Sequence, residues 1–260
     1  RLSEIRNERK PHSRYASLEN CRMEVAEAEA MNRLVGEIAG NVRGSLAIGC
    51  LLTFAQILVP QLRRGFEDAN PQVTIRQFEM NQQQIFDALR AGEIDVALTY
   101  DLAIPDDLVF VPLVSLPPYV LFPEDHPLAN LSQVTAKMLK DHPMVLLDLP
   151  LSSDYFLSFF RLSGLRPLIA ERTRDMAVMR SLVANGYGYS IANIRPLNDL
   201  APDGRRLRYV PMVGPVAPMM LGIVMAKAAD SVLTVSAFVD HCRAAVTDAS
   251  VPGLTMPDPQ

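Results

Sequence analysis

The sequence predicts an α/β protein of two lobes in tandem, preceded by a long helix. Three observations carry this. Short apolar runs alternate with stretches of helical periodicity, once over 43–118 and again over 119–218. The connections between them are short, which implies parallel pairing with right-handed crossovers. Residues 17–40 are rich in Ala, Glu, Met and Leu, with apolar positions at three- and four-residue steps from Cys21 to Ala39. A lone helix of that length needs cover for its apolar stripe, from a second subunit or from its own domain.

Each element has its own local reason. Ser17 is a candidate cap for the long helix, and Pro11 argues against helix before it. Ser45–Cys50 (SLAIGC) reads as a buried strand. Thr53 then opens a helix through Asn70, with Ile57, Leu58, Leu62 and Phe66 on one face. Pro60 demands a kink there or a place in a first turn. Asn70-Pro71 ends it. Val73–Phe78 alternates as a strand. Gln82–Arg90 is a helix closed by Gly92, and Ile94–Leu98 is a buried strand. Val109, Val111 and Leu113 mark a fourth strand.

The second half repeats the scheme. Tyr119–Phe122 is apolar and Met144–Leu147 is a strand. Ser152 and Ser153 precede a helix that stops at Gly164. Leu168–Arg172 is a strand, Asp175–Ala184 a helix and Gly188–Ala192 a strand. Met219–Met225 and Ser231–Val246 supply a last strand and helix.

Composition excludes several classes. The chain of 260 residues is 49% hydrophobic and 21% charged, as ordinary globular proteins are. No apolar run reaches the roughly 18 residues of a membrane span. The opening RLSEIRNERKPHSRYASLENCR lacks the apolar stretch of a signal peptide. The three cysteines, Cys21, Cys50 and Cys242, then read as free thiols in a cytoplasmic protein. A net charge of −4 speaks against a general polyanion binder.

Five stretches, in order, resemble one family. They are VRGSLAIGCLLTF, LVPQLRRGFEDANPQVTIRQFE, FDALRAGEIDVALTY, VLFPEDHPLAN and LVANGYGYSIAN. Together they resemble the effector-binding region and linker helix of LysR-type transcriptional regulators, over residues 17–247. The resemblance implies two Rossmann-like subdomains joined by two crossover strands, a type 2 periplasmic-binding-protein-like fold. The crossovers would lie near Ser115–Val120 and Met219–Ile223. Residues 1–42 would be a linker and dimerisation helix with a basic N-terminal segment. Residues 43–118 plus 222–248 would form subdomain I, 119–221 subdomain II and 249–260 a flexible tail.

The resemblance implies a small-molecule effector in the cleft, a homodimer or homotetramer, no cofactor and no membrane. DNA would be bound through an N-terminal winged helix-turn-helix absent from this chain. Arg6, Arg9, Lys10 and Arg14 read as a solvated segment rather than a DNA contact. Solute-binding proteins of transport systems share the architecture and are the alternative.

In open parallel sheets, ligands bind outside the carboxyl ends of the strands. Thr53, with Leu51 and Leu52, follows the first strand at a helix start, where free N–H groups attract carboxylates. The family places hydroxyl or amide side chains after the second strand, where Asn81, Gln82, Gln83 and Gln84 stand; Gln82 and Gln83 are the candidates. Thr99 is the third strand-end position, ahead of Tyr100 and Asp101. From the second lobe come Leu151, Ser152 and Ser153. Arg174, or Arg172, would hold a carboxylate, and Asn193 would bond a ligand across the cleft. Helix N-termini, amides, hydroxyls and one arginine suggest a small organic acid, aromatic ones included.

Nothing in the motifs supports catalysis. His12, His126, His142 and His241 are dispersed. There is no nucleophile elbow, phosphate-binding loop or His-Glu-x-x-His, and the cysteines lack metal-ligand spacing. Cys50 ends the first strand near the expected cleft, so a redox role is open, without an evident resolving cysteine.

Overall fold

The computed structural model describes residues 42–196 and 198–247. The helix expected over 17–40 and the tail 249–260 lie outside them. Seven helices and ten strands are described, and the strands divide between two lobes joined by two chain crossings.

The first lobe starts with β1 (Gly44–Cys50), whose last five residues are all buried. An unbroken apolar run of this kind suits a strand covered on both faces. β2 (Val73–Glu79) and β3 (Val96–Tyr100) flank it, both parallel. β4 (Leu108–Leu116) is the far edge. Between β3 and β4 runs β10 (Met219–Ala226), antiparallel to both, so the order is β2-β1-β3-β10-β4.

The single helix expected after β1 is two helices. α1 (Leu52–Ile57) breaks at Leu58, and α2 (Val59–Ala69) restarts with Pro60 in its first turn. That is where proline's missing N–H is harmless. α1 is capped by Leu51 without any side-chain bond, so Thr53 lies inside the helix and is not its cap. α3 (Gln82–Ala91) has a reciprocal cap. Asn81 accepts from the Gln84 N–H, and the Gln84 side chain accepts from the Asn81 N–H. Gly92 ends it at φ +68°.

The second lobe repeats this order. β6 (Pro143–Leu147) pairs in parallel with β7 (Leu168–Thr173). A bridge from Met144 to Tyr189 leads to β8 (Ser190–Ala192). β5 (Tyr119–Pro123) lies antiparallel between β8 and β9 (Leu207–Pro211). Spatially the lobe reads β7-β6-β8-β5-β9, matching the first lobe strand for strand. The short α4 (Ala136–Leu139), α5 (Ser152–Arg161) and α6 (Met176–Ala184) complete it. The Asp175 carboxylate caps α6 by accepting from the Ala177 and Val178 N–H groups.

Each lobe's antiparallel inner strand adjoins a crossing. Pro117-Pro118 leads from β4 into β5, and Pro218 precedes β10. The closing helix, α7 (Leu233–Ala245), packs on the first lobe. Phe238 meets Phe66 of α2 edge to face at 5.2 Å, and the His241 Nε2 lies 3.0 Å from the Leu62 carbonyl.

Candidate functional site

The carboxyl ends of β1, β2, β3, β6, β7 and β8 converge where the lobes face each other. A cavity of about 260 Å³ lies there, lined from both sides. This is small for a ligand pocket and suits a metabolite of a few carbons.

From the first lobe, Leu51, Leu52 and Thr53 enter at the β1–α1 turn, Glu79 and Met80 at the end of β2, Gln82 at the start of α3, and Tyr100 at the end of β3. The Tyr100 ring packs on Phe54, with centroids 4.9 Å apart, and its hydroxyl titrates far above the usual range because it is buried. From the second lobe come Leu149, Pro150, Ser152, Phe156, Arg174, Met176 and Asn193.

Six of the expected residues are thus brought together: Leu52, Thr53, Gln82, Ser152, Arg174 and Asn193. Four are not in the lining. Gln83 lies exposed on α3, where its amide donates to Asp87. Thr99 is wholly buried within β3. Ser153 lies one position beyond Ser152, on the next face of α5. Leu151 caps α5 with φ +67° and ψ −42°.

That backbone makes a tight three-residue turn, closed by the Ser152 N–H donating to the Pro150 carbonyl at 2.8 Å. The Ser153 N–H donates to Leu149. Two N–H groups expected to face a carboxylate from α5 are therefore already used. The strained turn sits at the cavity wall, where such strain characteristically collects.

Two amides stand out. Gln82 and Asn193 are each 2% exposed. The Gln82 Nε2 donates to the Tyr100 carbonyl at 3.2 Å and to the Leu102 carbonyl at 2.6 Å. The Asn193 Nδ2 donates to the Leu116 carbonyl at 2.7 Å and weakly to the Tyr155 hydroxyl at 3.5 Å. Both oxygens, Gln82 Oε1 and Asn193 Oδ1, are buried without a hydrogen-bond partner.

The charged residues of the lining are Glu79 and Arg174. Among the described residues Arg174 makes no ion pair, whereas Arg172 pairs with Asp148 at 3.1 Å. The Glu79 carboxylate accepts from the Gln77 amide at 2.7 Å. Reading by sequence missed Glu79 and Phe156. Strand alternation that ends at Glu79 was the available signal for the first, while nothing local marks the second.

Cys50 is not a reactive thiol. Burial, reinforced by the Glu79 charge, pushes it up to about 12, and Cys242 rises to about 12 by burial alone. Such thiols are poor nucleophiles near neutral pH. Among the described residues no three His, Cys, Asp or Glu side chains are placed to hold a metal ion. No described helix is long and apolar enough to cross a membrane.

Two α/β lobes, linked by two strands around a shared cavity, define the architecture of a two-lobed binding domain. Comparison with known proteins makes this specific. The model of the LysR substrate binding domain matches residues 39–247. HinK, a LysR family transcriptional regulator from Pseudomonas aeruginosa, is 32% identical with a TM-score of 0.75, covering 88% of this chain and 80% of that one. The HTH-type transcriptional regulator CysB of Haemophilus influenzae is 27% identical over 169 residues, 64% of this chain and 52% of its own. The chain belongs to the LysR family of transcriptional regulators, and residues 39–247 are its substrate-binding, or effector-binding, domain. The fold is the type 2 periplasmic-binding-protein-like one of such domains.

The chain spans about half the length of the curated regulators it matches. A stretch of 36 residues is 81% identical to a protein of Albidiferax ferrireducens named as a phosphoenolpyruvate synthase regulatory protein, of which it spans 13%.

Proposed function

We propose that this domain senses a small acidic metabolite held between its lobes and thereby sets the activity of a transcriptional regulator in the cytoplasm. The observation that carries the reading is the inter-lobe cavity with Arg174 in its wall and, among the described residues, no carboxylate paired to that guanidinium. Arg174 is exposed at the mouth of this wall, and a guanidinium there can grip a ligand carboxylate with two parallel bonds. Ligand contact with both lobes gives differential affinity for closed and open arrangements, which is the requirement for control.

The same reading assigns no catalysis to the domain. It places assembly in a homodimer or homotetramer and DNA contact in an N-terminal domain outside this chain. Membership of the LysR family favours this over a transport-associated solute-binding role.

The test is thermal unfolding of the chain against a panel of small organic acids. Ligand at about 100 times its Kd adds roughly 2.7 kcal/mol. For a domain of this size that raises the midpoint by about 5–10 °C. Arg174→Gln should remove the rise while leaving the midpoint without ligand within about 1 °C. A rise that survives Arg174→Gln, or a panel without any rise, refutes the acidic ligand.

A further inference from the structure

The two buried amides specify more than an acid. Their orientation is fixed by main-chain carbonyls. The Gln82 Nε2 is held by two main-chain carbonyls, Tyr100 and Leu102, and the Asn193 Nδ2 by the Leu116 carbonyl. Rotating either amide by 180° would set its oxygen against carbonyl oxygens. Gln82 Oε1 and Asn193 Oδ1 are therefore the atoms left over, both acceptors, both buried and both without a partner. One belongs to each lobe, and both residues line the same cavity.

Buried polar atoms in native proteins are nearly always paired, so an unpaired one calls for a partner; the others, on Thr99, Tyr119, Tyr189 and Ser190, belong to residues outside the cavity lining. An acceptor can be satisfied only by a donor. A carboxylate, which only accepts, cannot serve these atoms. Glu79, the other charged residue of the lining, also prefers a donor.

We infer that the ligand is a small carboxylic acid carrying at least two hydrogen-bond donors, hydroxyl or ammonium, which bridge Gln82 Oε1 in one lobe to Asn193 Oδ1 in the other. This deepens the acid-sensing reading and rests on it. The carboxylate faces Arg174 and the donors face the amides. A bare aliphatic or aromatic acid would leave both oxygens unsatisfied on closure, so the site discriminates against it. The aromatic acid allowed by the sequence is accordingly disfavoured unless it is hydroxylated or aminated.

The experiment is calorimetric titration of the whole chain with matched acids. One set is propanoate, glycerate and serine; the other is hexanoate, gluconate and lysine. Within a set the carbon skeleton is constant and the donors vary: glycerate and gluconate carry hydroxyls alone, lysine two ammonium groups and serine one of each, so gluconate against lysine separates the two donor sources. The expected result is binding at least tenfold tighter for a donor-bearing acid than for its unsubstituted counterpart. Gln82→Met keeps the length of the side chain and removes the acceptor. It should weaken the donor-bearing acid tenfold or more and change the unsubstituted acid less than twofold.

Equal binding across a set overturns this inference and leaves the acid reading standing. Absence of binding by every acid removes both. The comparison of ligands on the unaltered chain keeps the inference testable should Gln82→Met fail to fold.

Discussion

Gln82→Glu tests the amide orientation on which ligand discrimination depends. The substitution is nearly isosteric and exchanges one NH₂ for an oxygen. In the folded chain that atom lies 3.2 Å from the Tyr100 carbonyl and 2.6 Å from the Leu102 carbonyl, at a residue 2% exposed. A protonated glutamic acid keeps one donor and loses one bond, a loss of about 1 kcal/mol. An ionised one sets a desolvated carboxylate against two carbonyl dipoles. Burial of this kind raises a carboxyl by roughly 2–3 units or more, at about 1.4 kcal/mol per unit.

The sign follows from proton binding. The folded carboxyl titrates above its unfolded value of about 4.3, so the folded state binds more protons between the two. Stability relative to the parent protein therefore falls as pH rises through that interval and is flat above it. The expected loss is about 1–2 kcal/mol at the acid end and about 4–6 kcal/mol near pH 8. Urea unfolding of both proteins at two pH values measures it. An equal loss at both pH values, or less than about 1 kcal/mol near pH 8, would mean that the amide points the other way.

Three further outcomes are expected. A Cβ on Gly222 would stand 2.5 Å from the Val111 carbonyl and would also meet the Phe110 ring, so Gly222→Ala should cost about 1–3 kcal/mol in urea unfolding without a change of slope. Cys50 and Cys242, both buried and pushed up to about 12, should resist a thiol reagent at pH 8 in the native Cys21→Ser protein and react once it is unfolded in urea. The His126 ring stacks on Phe122 at 4.4 Å, and burial, then the neighbouring His142, holds it below its usual value. Its contribution is present above the unfolded pKa of about 6.5 and is lost as pH falls through the folded one. His126→Asn should flatten that part of the stability profile, measured as midpoints between pH 5 and 7.5.

Much of the fold was legible because apolar runs and punctuation agree. SLAIGC and IDVAL are covered on both faces, and such strands read as continuous apolar runs. Gly92 ends one helix through its backbone, and Asn70-Pro71 ends another, with the Asn70 amide donating to the Phe66 carbonyl. What escaped has physical reasons. Leu207–Pro211 is a short edge strand whose arginine faces out and pairs with Glu124, so its apolar residues form no continuous run. The break at Leu58 arises because Pro60 can start a helix as readily as kink one.

In the site, strand-end logic found the amides, Thr53 and Arg174, since those positions follow from the chain's local order. It misplaced Gln83 and Ser153 by one residue each, because a single helical step turns a side chain by about 100°. It could not foresee that the Ser152 and Ser153 N–H groups are used within their own turn, which depends on the unusual backbone of Leu151.

The strand order sets a timetable for synthesis. The second lobe's strands, β5 to β9, are contiguous in the chain, whereas the first lobe lacks its inner strand until β10 has emerged. Until then β4 has no partner in the sheet, because β10 alone joins it to β3. The pairing of Thr99 with Gly222 closes a loop that contains the whole second lobe. Long-range pairing of this kind is slow, and the unpaired edges of β3 and β4 stay exposed while it waits. The lobe that begins the domain is thus the last to be finished, and a chain cut before β10 would carry a complete second lobe on a split first one. A ligand held between the lobes, as proposed, would meet a finished first lobe only after β10 has been made.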